Sequence, residues 1–237
     1  APEKAADPII NHPDVRRMLL TQKTLVEGCR MLAAYTARQL DLEHGADEPA
    51  ARQAAARRAA LLIPIVKAFF TDMGQEVANH AVQVYGGHGF IREWGMEQLV
   101  RDCRISQLYE GTNGIQAIDL LGRKVLMDQG AKLRKFTKQI HKFCEANAGN
   151  AQIKELVEPL NALNKQIAEI TMGIGMAAMM NKDEAGAAAT DYLRLIGHLT
   201  YGYFWAWMAK VAAEKMEGSP EAAFYNAKIT TARFYFA

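Results

Sequence analysis

Cysteine is scarce. There are three in 237 residues, Cys29, Cys103 and Cys144, with no CxxC pair. This excludes a disulfide framework and a thiolate zinc site, and it fits a reducing compartment such as the cytoplasm. A free cysteine ordinarily behaves as a small buried residue, and each is read so here. Charge of one sign is missing too. The formal net charge is +2, which supplies no strong field for steering and argues against a nucleic-acid partner. Long apolar runs are absent. The nearest, LRLIGHLTYGYFWAWMAK, is interrupted by Arg194, His198, Thr200 and Lys210 and predicts a buried helix, not a membrane span. The polar, proline-bearing start, APEKAADPIINHPD, is no secretory signal. The six histidines are scattered without metal-ligand spacing, and no Ser-His-Asp or Cys-His set suggests itself. No window alternates polar and apolar residues with period two, so there is no case for a sheet.

What remains is helix. Half of the residues are hydrophobic and 23% are charged, as in a soluble domain with a real core. The patterning predicts an all-α protein. A first helix is expected over Pro13–His44, closed by Gly45. A second runs over Pro49–Val84, with Asp47 as its N-cap and Pro49 in its first turn. Pro64 lies inside it and should kink it, and Gly86 and Gly87 stop it. After a glycine- and aromatic-rich connector, YGGHGFIREWG, a third helix runs from Gly95 toward Gln107. A fourth covers Thr112–Gln129, with the Thr112 hydroxyl as its cap. Beyond Gly130 the texture turns to plain amphipathic helix. Segments are expected over Lys132–Ala146, Gln152–Asn181, Glu184–Glu217 and Glu221–Phe236. A boundary near Asp128–Gly130 divides the chain into residues 1–128 and 129–237. The aromatic cluster Tyr201, Tyr203, Phe204, Trp205 and Trp207 belongs to a core or an interface.

Two stretches stand apart. In LYEGTNGIQ the helical pattern breaks beside an acid, Glu110, flanked by Gly111 and Gly114. Glycines there permit positive φ or close approach of a ligand to the backbone. A carboxylate beside main-chain N–H donors suits removal of a proton α to a carbonyl. A solvated helix-to-helix turn explains the same residues, and on local sequence alone it is favoured. The second stretch, QVYGGHGF, could cradle a phosphate with bare N–H groups. It has no GK[ST] and follows a helix, so it is neither a Walker A loop nor a Rossmann turn. Alone it reads as a helix C-cap and loop.

Together, QVYGGHGF and RDCRISQLYEGTNGIQ resemble the acyl-CoA dehydrogenase family over about Asn11 to Met127. HPDVRRMLLTQK, IPIVKAFFTDMG and EWG agree with this. The resemblance implies the C-terminal helical bundle of that fold and an FAD-dependent α,β-dehydrogenation of an acyl-CoA thioester. Glu110 matches the base that takes the α-proton, and its N–H matches a donor to the thioester carbonyl. Gly111 matches a residue lining the substrate. Thr112 and Gln116 match positions touching the adenine-diphosphate part of FAD. Gln83, Gly86 and Gly87 match a loop contacting an FAD held mainly by a neighbouring subunit. Arg101 and Asp102 match a structural pair, and Cys103 stands where the family often has Ala. Residues 129–237, with DYLRLIGHLTYGYFWAWMAKVA, resemble the longer branch of the family, which includes enzymes acting on 3-methylthiopropionyl-CoA and on some long acyl chains. The implied role of this extension is dimer contact or covering the active-site region. The resemblance also implies an electron-transferring flavoprotein as acceptor and a homodimer or homotetramer. An oxidase using oxygen and a helical module without chemistry are the alternatives. In this family two further domains precede the bundle and hold much of the flavin. The chain is therefore expected to be the C-terminal part of such an enzyme, and inactive by itself.

Overall fold

A computed structural model describes residues 6–109 and 111–237. Among the described residues there is no strand. Two long helices form the first hairpin: α1 (Pro13–Gly45) and α2 (Pro49–Val84). Their sequence bounds agree with the pattern because each starts on a proline, whose fixed φ and missing N–H suit a first turn. The α2 N-cap differs from expectation. Glu48 occupies it with no side-chain bond. Asp47 is bypassed because Arg52 Nη1 donates to the Ala46 carbonyl at 2.6 Å and to the Asp47 carbonyl at 3.1 Å, and so ties down the entry. α2 runs on through Pro64 without a break in its assignment.

The connector after α2 is more ordered than a loop. Gly86, at φ +59°, ends α2, and a short α3 (Gly87–Phe90) and a 3-10 turn (Arg92–Trp94) follow. α4 (Met96–Ile105) is shorter than expected. The fourth expected helix is two segments: α5 (Asn113–Ile118), then a π-helical run over Asp119–Leu126. The remaining helices are α6 (Ala131–Asn147), α7 (Lys154–Met180), α8 (Asp183–Met216) and α9 (Ala222–Phe236).

α8 is the axis of the core. Tyr201, Phe204, Trp205 and Ala206 have no exposed surface, and Leu193, Ile196 and Leu199 are also buried. A helix apolar on all sides is stable only when surrounded. One cluster joins Leu32, Leu62, Phe69, Leu120, Phe136, Leu160 and Trp205, so residues from before and after Gly130 share it. α8 approaches α2 closely at Gly197, where an added Cβ would lie 2.5 Å from Phe69 Cδ2. Polar groups from three helices meet in this interior. Gln139 Nε2 lies 3.1 Å from the hydroxyls of both Tyr35 and Tyr203. Burial pushes the Cys144 thiol up to about 11 and raises Cys29 as well, so both thiols stay protonated and unreactive near neutrality. No described helix is long and apolar enough to cross a membrane.

α9 is tied to α1 by charge. Glu27 takes Lys23 at 2.5 Å and Lys228 at 2.7 Å. Burial pushes the Glu27 carboxyl up, but the Lys228 and Lys23 hydrogen bonds outweigh it and leave it below its ordinary value. A lowered carboxylate pKa contributes stability above the unfolded value, about 4.3, and loses it as pH falls through the folded value. Glu27→Gln should therefore lower stability at pH 7 by roughly 1 kcal/mol. Thermal unfolding at a series of pH values should show the gap between variant and parent closing on acidification below about pH 4. A gap that widens there would refute the assignment.

Candidate active site

The break between α4 and α5 is fastened from both ends to one turn of α2. α4 gives way at Ser106 to a run of turns, where the N–H groups of Leu108 and Tyr109 donate to the Ile105 carbonyl at 3.0 and 3.2 Å. On the far side, the Asn113 side chain reaches α2. Its Nδ2 lies 2.7 Å from Asp72 Oδ1, 3.0 Å from the Thr71 hydroxyl and 3.2 Å from the Ala68 carbonyl. The Thr71 hydroxyl also lies 3.1 Å from Asn113 Oδ1. From the near side, Gln107 Nε2 donates to the same Asp72 oxygen at 2.5 Å. The Asn113 N–H closes the mouth of the loop on the Gln107 carbonyl at 3.1 Å. Gln107, Asn113, Thr71 and Asp72 are all half-buried.

Glu110 lies outside the described residues. Its neighbours are described: Tyr109 and Gly111 both line a cavity of about 320 Å³, closed on the α2 side by Lys67, Phe70 and Thr71. Gly111 takes φ +87°, and a Cβ there would lie 2.7 Å from Gln116 Nε2. The positive φ favours glycine at this position, and a Cβ would also displace the Gln116 amide. Gln116 Nε2 donates to the Gly111 carbonyl at 3.2 Å, which holds the carbonyl from within α5. Thr112 is the α5 N-cap residue, but its side chain does not cap. The hydroxyl turns back and donates to the Gln107 carbonyl at 3.1 Å, because that acceptor is brought within reach by the closed loop.

Gly111, Thr112 and Gln116 thus form one cluster. Gln83, Gly86 and Gly87 do not join it. Gln83 sits in the last turn of α2, 12 residues beyond Thr71 or about 18 Å along the axis, and the two glycines lie just past the helix end. All three are exposed, and a Cβ on Gly86 or Gly87 would meet nothing within 4 Å. Between the two clusters α2 and α4 enclose an open trough of about 840 Å³, lined by Asn79, Val82, Phe90, Arg101, Ile105 and Leu108. Asp102 beside it accepts from Gln98 Nε2 at 2.7 Å within α4, which gives that acid a local partner. No group of three His, Cys, Asp or Glu side chains among the described residues could hold a metal ion.

The sequence reading missed Asp72, Gln107 and Asn113. One signal was present: Thr71 and Asp72 interrupt the apolar run of IPIVKAFFTDMG. A polar pair inside a packed helix has to find partners.

The fold and this turn define a class. The family model described as acyl-CoA dehydrogenase, C-terminal domain, matches residues 2–126, and the one described as acetyl-CoA dehydrogenase C-terminal like matches residues 136–237. The chain belongs to the acyl-CoA dehydrogenase family. It is 41% identical to a 3-methylmercaptopropionyl-CoA dehydrogenase of Ruegeria pomeroyi, over 97% of this chain and 39% of that protein. It is 33% identical to the broad-specificity linear acyl-CoA dehydrogenase FadE5 of Mycobacterium tuberculosis, over 96% of this chain and 39% of that one. Among solved structures, Caenorhabditis elegans ACDH-11 in complex with C11-CoA superposes with a TM-score of 0.70 at 17% identity, over 91% of this chain and 34% of that one. That likeness carries the all-α fold. The chain spans about two fifths of the length of the relatives it matches.

Proposed function

We propose that this chain supplies the catalytic turn of an FAD-dependent acyl-CoA dehydrogenase, with Glu110 as the base that takes the α-proton of an acyl-CoA thioester. The observation that carries this reading is the cavity between α2 and the turn, lined by the residues on both sides of Glu110. The α-carbon–hydrogen bond breaks, the proton passes to the carboxylate, and the electron pair left behind forms the α,β double bond as a hydride leaves Cβ. A bound FAD would supply the acceptor for that hydride. Gly111 leaves room beside the reacting carbons. A main-chain N–H at position 110 would donate to the thioester carbonyl and make the α-proton more acidic.

The residues assigned to FAD fit part of that group. The Thr112 hydroxyl proton and one of the two Gln116 amide protons are committed to the Gln107 and Gly111 carbonyls. What they still offer is acceptor oxygens, matched to amino and hydroxyl groups of the adenosine portion, and one Gln116 amide N–H, matched to a phosphate oxygen. The Gly86 N–H donates to the Gln83 carbonyl at 3.0 Å, so what the exposed backbone of this turn offers an acceptor is the Gly87 N–H. The distance along α2 between the two clusters fits their assignment to two different flavins, and hence a homo-oligomer in which Gln83, Gly86 and Gly87 touch the flavin of a neighbouring subunit. Residues 129–237 serve as a helical extension that backs the turn. Electron-transferring flavoprotein is the proposed acceptor, and the cytoplasm is the proposed compartment.

The test is reduction of the flavin in the full-length protein by a panel of CoA thioesters, with reoxidation by electron-transferring flavoprotein or by oxygen. Bleaching of the flavin by at least one thioester is expected. Peroxide formation at the catalytic rate would select an oxidase, and a flavin that no thioester reduces would overturn the reading.

A further inference from the structure

Asp72 is the only carboxylate among the described hydrogen bonds that joins the two ends of the turn around position 110. It receives an amide from Gln107 at 2.5 Å and another from Asn113 at 2.7 Å, both on Oδ1. Between these two anchors lie five residues, 108–112, in the stretch that separates α4 from α5. Ordering each such residue costs about 1–2 kcal/mol, so the segment needs fastening from outside. Amide donors on a carboxylate are about twice as strong as neutral pairs. Here two of them meet on one oxygen, from opposite sides of the break, about 40 residues away in sequence. The carboxylate stands on the same turn of α2 as Thr71, which lines the cavity. One turn of helix therefore fixes the ends of the turn and forms the opposite wall of the space it faces.

We infer that Asp72, Gln107 and Asn113 form a clamp that sets the position of the turn carrying Glu110, so that these three are positioning residues for proton abstraction. The inference rests on Glu110 being the base, as proposed above. The clamp acts through geometry, since a misplacement of about 1 Å at a reacting centre costs on the order of 100-fold in rate.

The test uses the full-length flavoprotein. Asn113→Asp keeps shape but removes the amide donors and sets a second carboxylate against Asp72. Turnover should fall about 100-fold with flavin content unchanged. The kinetic isotope effect from deuterium at the α-carbon should rise, because proton abstraction has become the slow step. The paired exchange Asp72→Asn with Asn113→Asp restores a donor facing an acceptor and should recover at least about tenfold of the loss, a coupling that independent sites do not show. If Asn113→Asp does not fold, Gln107→Met removes one arm without adding charge, and it should give a smaller loss with the same rise in isotope effect. Unchanged turnover, or a loss that leaves the isotope effect where it was and that the exchange does not repair, overturns the clamp. Glu110→Gln run in parallel separates the two ideas. If that variant turns over normally, the base assignment fails. The clamp is then judged by amide hydrogen exchange of residues 108–112: protection lost in Asn113→Asp and regained in the paired exchange supports it, and unaltered protection overturns it.

Discussion

Glu110→Gln in the full-length flavoprotein is expected to cut the rate of flavin reduction by roughly a thousandfold, within the range of about 10²–10⁴ for loss of a positioned general base. Glutamine has nearly the same shape but cannot take a proton at working pH. Binding of the thioester and of FAD should stay close to the parent, because the main chain at Gly111 and the Gln116 contact to its carbonyl are untouched. Rapid-mixing measurements of flavin bleaching read the chemical step directly. Loss confined to kcat is the expected pattern for an interaction made only in the transition state. A reduction rate within tenfold of the parent would remove Glu110 from the chemistry and return the turn to a plain connection between helices.

The largest effect on stability is expected at Trp205. Its side chain is wholly buried, stacks near Tyr235 with centroids 6.5 Å apart, and donates Nε1–H to the Thr24 carbonyl at 3.3 Å. Trp205→Ala removes a large apolar volume from between α1, α8 and α9 and withdraws the indole donor. Such truncations cost about 3–5 kcal/mol, a large share of the roughly 5–15 kcal/mol that holds a domain folded. Urea unfolding should register this as a lower midpoint with a similar slope. Trp205→Phe should recover part of the packing and none of the hydrogen bond. Met179, 87% exposed, is the contrasting site, where Ala should change stability by no more than about 0.5 kcal/mol. A loss at Trp205 below about 1 kcal/mol would refute the picture of α8 as the axis of the core.

The helices were legible because their signals are local. Prolines at residues 13 and 49 and glycine at residue 45 bound α1 and α2, and the burial pattern of each long helix follows its own periodicity. Local signals fail where a remote partner competes. Thr112 has a capping residue's chemistry, but the Gln107 carbonyl, brought close by the folded loop, takes its hydroxyl. Asp47 yields its capping role to the reach of Arg52. The π-helical run over Asp119–Leu126 is invisible to a 3.6-residue pattern, because Leu120, Leu121 and Val125 satisfy either register. At the site, the glycines and the acid could be read as unusual, and the family resemblance gave them roles. The fastening of the turn could not be read, since it depends on α2 residues about 40 positions earlier meeting Gln107 and Asn113 in space.

Phe69 and Asp72 stand three residues apart on α2. One faces the missing side chain of Gly197, and the other faces the amides that hold the loop. This sets a condition on grafting. A hybrid enzyme that kept the first half of this chain and borrowed its last helices from elsewhere would need, opposite Phe69, a residue no larger than glycine. Anything bulkier would push α2 off its seat, and the disturbance would surface at the loop, as a slower enzyme whose borrowed part never touches substrate.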